Sequence, residues 1–133
     1  MDELARPSFL RGVALLGLCG AYIQGGLVKL LDFEGAMAEM AHFGLQPAAM
    51  FAAAVIALEL GGSAFVLSGR GRRWAAWSLA AFTLAASLIA NPFWSVPGPQ
   101  RLPLMNAFFE HLGLVAGWVL VACLDVRRRQ TTP

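Results

Sequence analysis

Glu59 is the residue on which chemistry would rest first, because it interrupts an otherwise apolar stretch, AVIALELGGSAF. If that stretch crosses a bilayer, Glu59 lies about 12 residues from its outer end, roughly 18 Å deep and close to the midplane. A charged group there is unfavourable by about 3 kcal/mol on insertion scales, so it turns inward and must be neutral or partnered. Two uses follow: a carboxyl that locks two helices together, or a site for a ligand, an ion or a proton. Gln24, in the preceding apolar run, lies at comparable depth and is the expected hydrogen-bond partner.

A second polar group gathers toward the outer ends of the apolar runs. Lys29 lies one turn inside the end of the first run, and Glu110 and His111 open the last one. Asn91 closes the third run and Asn106 precedes the fourth, with Trp94 between them at the interfacial level. Lys29 either pairs with Glu110, where good geometry must offset desolvation, or snorkels to the headgroups. His111 suits a proton relay or a polar headgroup. Adjacent helix positions point about 100° apart, so only one of Glu110 and His111 need face inward.

Other chemistries find little support. Haem held by two histidines needs them on facing helices, and the chain has only His42 and His111. Cys19 and Cys123 form no CxxC pair; they read as small buried hydrophobes or, alternatively, as a redox pair. No phosphate loop, nucleophile elbow or zinc signature is present.

The elements that must position these residues follow from composition. Of 133 residues 58% are hydrophobic and 14% charged, which leaves too little charge to clothe a soluble domain. The net charge of +2, with no basic stripe interleaved with aromatics, excludes nucleic acid as a partner. The apolar runs predict four membrane helices over residues 12–31, 47–67, 74–90 and 107–124, an all-α integral membrane four-helix bundle in a single domain 1–133. The first run is too long for a signal core and no A-x-A-like cleavage site follows it, so it is expected to be retained.

Eight of the ten basic residues, Arg6, Arg11, Arg70, Arg72, Arg73, Arg127, Arg128 and Arg129, fall on one side of that topology. Lys29 and Arg101 fall on the other, which places both termini of a multi-pass membrane protein in the cytoplasm. The outer segment FEGAMAEMAHFGL predicts a short amphipathic helix with Phe33, Met37, Met40 and Phe43 toward the membrane and Glu39 and His42 solvated. Gly17, Ala21 and Gly25 recur every four residues, and Gly113 and Gly117 form a GxxxG pair. Such stripes pack a bundle or a homodimer interface.

The segments GGLVKL, FEGAMAEMAHFGLQP, ELGGSAFVLSGRGRRWAA, NPFW and N-x-FF-x-x-LGLVAGWVLV, in this order, resemble the DoxX family of small four-helix membrane proteins. By that resemblance Lys29, Glu59, Gly61 and Gly62 match characteristic positions. Asn91 stands where many members have His, and Glu110 and His111 stand where they have a Lys-Asn pair. The resemblance implies an association with quinone-linked oxidoreductases and no shared reaction. The expected function is a non-catalytic accessory or binding protein. Its outward-opening polar pocket, built from Glu59, Lys29, Asn91 and His111, takes a quinone or a lipid. Alternatives are a subunit working with an oxidoreductase partner on the quinone pool, and a proton-coupled carrier that titrates Glu59.

Overall fold

The computed structural model describes residues 7–131, with side chains from residue 8 to residue 125. Arg6 lies outside the described residues, as do the side chains of Arg127, Arg128 and Arg129. All regular structure among the described residues is helical: α1 (Pro7–Leu31), α2 (Phe33–His42), α3 (Ala48–Ser68), α4 (Arg72–Ala90) and α5 (Arg101–Thr131), with two 3-10 turns, Phe93–Ser95 and Gly98–Gln100. Four of these helices are long and apolar enough to cross a membrane, as the sequence predicts. The chain divides into two compact units, one running to Ala75 and one from Ala76 onward.

In the first unit, α1 starts earlier than the apolar run suggests because Pro7 is pre-shaped for a first helical position, where its missing N–H is not needed. Asp32 separates α1 from α2 and caps the latter, its Oδ1 accepting from the Gly35 N–H at 3.0 Å. α2 ends on Gly44, at φ 75°, where Leu45 N–H donates to Met40 O at 2.9 Å and Gly44 N–H to Ala41 O at 3.0 Å. The amphipathic helix is therefore where the sequence places it, but its apolar face has a different partner. Ala36 and Met40 are buried with Ala52, and Phe33 and Met37 pack on the same cluster beside Ala48, Phe51 and Val55 of α3. The small side chains of Ala48 and Ala52 leave room for Met40, so protein rather than lipid covers this face.

α1 and α3 pack antiparallel, Cys19 Sγ lying 4.0 Å from Ser63 O while Gly26 abuts Leu60 farther up the helix. The buried positions of α1 are Leu15, Cys19, Tyr22 and Gly26, a ridge spaced by fours and threes. Of the expected stripe, Gly25 meets α3 at Glu59, whereas Ala21 is exposed and a side chain at Gly17 would meet open space. Helix-helix approach is set by the ridge that faces the neighbour, and the recurrence of small residues alone does not reveal which ridge that is.

In the second unit, Thr83 and Ser87 of α4 and Asn91 just beyond its end form one buried line. α5 begins at Arg101, six residues before the expected start. Pro103 is its third residue, where an N–H would find no intrahelical acceptor, so the proline does not delay the helix. Asn106 therefore lies inside α5, not in the loop. Across both units the outward surface is greasy, with Leu16, Val28, Leu31, Leu102 and Leu120 exposed. The buried set includes Glu59, Ser63, Thr83, Ser87 and Asn91. Lipid is the solvent that accepts such an arrangement.

Candidate functional site

Glu59 is 5% exposed in the middle of α3, and its Oε1 accepts from Lys29 Nζ at 3.2 Å. The pairing follows from helix geometry. Lys29 stands one turn beyond Gly25 on the same face of α1, and helical side chains lean toward the N-terminus, so its ammonium is carried back to the level of Gly25. A Cβ at Gly25 would come within 2.7 Å of Glu59 Oε2 and 3.5 Å of Lys29 Nζ. Gly25 is thus the notch that lets the carboxylate lie against the α1 backbone, a role the sequence reading missed. The signal available was the Gly25/Lys29 spacing of four, read with the backward lean of the lysine.

The register explains why level counting chose other partners. Gly25 and Gly26, about six residues short of the α1 end, face Glu59 and Leu60, about 12 residues into α3. α3 therefore begins roughly 9 Å beyond the point where α1 stops, and α2 packs over those first turns. Lys29, expected near the surface, thereby meets a mid-helix carboxylate. Gln24 is not the partner of Glu59 either: it is exposed, one position and about 100° around α1 from Gly25.

The second unit holds a separate polar group. Asn91 Nδ2 donates to Ser87 Oγ at 3.2 Å and lies 3.0 Å from His111 Nδ1. One Asn91 amide hydrogen goes to Ser87 Oγ, and the other is placed to meet the His111 ring nitrogen. Ser87, four residues before Asn91 on the same face, was not singled out from the sequence. His111 is half-buried and Glu110 exposed, as expected for adjacent positions of which one turns inward. Trp94 is half-exposed and stands edge-on to Phe93 and Phe108, with ring centroids 5.2 and 5.6 Å away. Asn106 is exposed on α5. The cysteines are both free thiols, Cys19 buried and Cys123 exposed.

Within the first unit Lys29 and Glu59 come together and Gln24 does not join them; within the second Asn91 and His111 come together, and Asn106 and Glu110 do not join them. Chemically, Lys29 and Glu59 offer a donor and an acceptor in a poorly solvated setting, where a further polar partner is held strongly. The second group offers a buried amide and an imidazole within hydrogen-bond reach of each other.

The DoxX family model matches residues 12–92, which take in Gly25, Lys29, Glu59, Ser87 and Asn91 and stop short of α5. The chain is also 24% identical over 118 residues to the inner membrane protein YphA of Escherichia coli (strain K12), a match covering 89% of this chain and 84% of the relative. No solved structure gives a significant match. With most of its length matched by the family model and four apolar spans, the chain belongs to the DoxX family and is a multi-pass integral membrane protein.

Proposed function

We propose that this protein is a non-catalytic, ligand-binding accessory protein of the bacterial inner membrane, and that Lys29 and Glu59 anchor a small amphipathic molecule of the quinone or lipid class. The observation that carries the reading is the ion pair of 3.2 Å between α1 and α3, with side chains only 18% and 7% exposed. An ammonium has three donors, and Glu59 occupies one of them. A quinone carbonyl or a lipid ester or phosphate oxygen is the type of acceptor that uses the others, while the apolar tail of such a molecule stays in the bilayer. The inner-membrane location is taken from the name of the Escherichia coli relative. Both termini are assigned to the cytoplasm, because Arg70, Arg72 and Arg73 between α3 and α4 and the terminal arginines outnumber Lys29 and Arg101.

The test is a thermal-shift panel of quinones and phospholipids on the purified full-length protein. A ligand at 100 times its Kd stabilises the fold by about 2.7 kcal/mol, and Lys29→Ala and Glu59→Gln should each abolish that response. A panel with no stabilising member, or variants that respond as the wild type does, overturns the proposal.

A further inference from the structure

Between α3 and α4 the sequence reads Ser68-Gly-Arg-Gly-Arg-Arg-Trp74, three guanidinium groups within four residues and no carboxylate among them. Two of the three are held in place. Arg72 Nε donates to Val66 O at 2.8 Å, a carbonyl in the last turn of α3 that also accepts from the Gly69 N–H at 3.3 Å, and its Nη2 would lie 3.3 Å from a Cβ placed on Gly69. Gly69, at φ 79°, supplies the left-handed turn and the bare backbone over which that guanidinium folds. Arg73 stacks over the Trp74 ring at 5.0 Å, and Trp74 is 68% exposed at the end of a membrane span. Arg70 is exposed, with its backbone N–H directed to Ser68 Oγ at 3.4 Å. None of the three has a carboxylate partner among the described residues.

We propose that this loop is a binding site for the phosphate headgroup of an anionic phospholipid of the adjoining leaflet. The argument is charge complementarity at a fixed depth. The interfacial Trp74 and the α3 and α4 termini set the loop at headgroup level, where the phosphates of the leaflet lie. Arg72 loses Nε to Val66 O but keeps its Nη groups, and a planar guanidinium already immobilised by its own chain gives up little further freedom on meeting a phosphate. The stacked Arg73 is pre-placed in the same way. Zwitterionic headgroups carry a compensating positive charge that this loop repels, so the site selects anionic lipid. The proposal is independent of Lys29 and Glu59.

The experiment uses the full-length protein in uncharged detergent, titrated with phosphatidylglycerol, with phosphatidylcholine and with inorganic phosphate. It reads retained lipid by native mass spectrometry and the difference in Trp fluorescence between wild type and Trp74→Phe. Phosphatidylglycerol should bind at least tenfold more tightly than phosphatidylcholine. The Arg70→Gln/Arg73→Gln variant, altered only at exposed positions, should lose about 30-fold of that affinity at low salt and leave phosphatidylcholine binding unchanged. Lys29→Ala should retain the preference, which separates this site from the interior one. Equal binding of the two lipids, or full affinity in the double variant, refutes the proposal. Saturation by inorganic phosphate at the affinity shown for phosphatidylglycerol would make the loop a free-anion site and overturn the lipid assignment.

Discussion

Replacing Lys29 by Met while keeping Glu59 asks how strongly the ion pair ties α1 to α3. At 3.2 Å and an effective dielectric constant of 20, the attraction amounts to about 5 kcal/mol before desolvation is counted. Removing one partner of a buried pair destabilises by roughly 3–5 kcal/mol, because the remaining charge is left in a poorly solvated place. Glu59, with its side chain 7% exposed, is the worse charge to abandon; Lys29, at 18%, lies near the end of α1 and can swing toward headgroups. Glu59→Gln should therefore be milder, roughly 1–3 kcal/mol, since the amide still accepts a hydrogen bond. The double variant Lys29→Met/Glu59→Gln leaves no unpaired charge, and the cycle should show coupling of about 2 kcal/mol. Unfolding of the full-length protein in mixed micelles, followed by circular dichroism as the denaturing detergent fraction rises, measures all four corners. Single effects that add within about 0.5 kcal/mol would refute the reasoning, as would a Lys29→Met variant no less stable than Glu59→Gln.

Three further substitutions probe the surroundings of the polar groups. Gly25→Ala puts a methyl 2.7 Å from Glu59 Oε2, forcing the carboxylate away from Lys29 at a cost of about 1–3 kcal/mol. Gly17→Ala enters open space and should be neutral or stabilising by up to about 1 kcal/mol; the same unfolding assay compares them, and equal effects would sink the assigned notch. Asn91→Ala strips His111 Nδ1 and Ser87 Oγ of their shared donor, which should destabilise by about 1–3 kcal/mol. It should also shift the His111 ring nitrogen resonances, and an unchanged spectrum would contradict the hydrogen bond.

The spans were legible in the sequence because a run of apolar residues long enough for a bilayer needs no periodicity to be recognised, and Pro92 and the loop arginines mark where such runs stop. The earlier starts of α1 and α5 were hidden by prolines, which read as breaks yet are tolerated in a first turn. Glu59 stood out as the residue needing a partner, since a lone carboxylate in a membrane span is conspicuous. Its partner did not, because counting residues from helix ends assumes flush helices. The α2 insertion displaces α3 outward by roughly two turns, a tertiary fact that brings Lys29 to Glu59 and leaves Gln24 outside the site. At positions 110 and 111 the local rule sufficed: two adjacent residues cannot share a face, and His111 is the one that turns toward Asn91.

The pair of Lys29 and Glu59 is a poor device if its purpose is only to join two helices. Well-packed apolar residues of similar volume commonly hold such a junction as firmly as a buried ion pair does, or more firmly. Membrane helices also associate readily through small residues alone, and this junction already contains them at Gly25, Gly26 and Gly62. Stability therefore does not account for placing opposite charges there, nor for keeping Gly25 bare so that a carboxylate can rest against the backbone. The proposed binding role would account for both. Lys29 has N–H donors that Glu59 does not occupy, and Glu59 compensates its charge whether or not a ligand is present. An acceptor oxygen can then join the ammonium without the loss of the pair. A neutral amphipathic molecule can bind there and leave without stranding a charge in the bilayer interior.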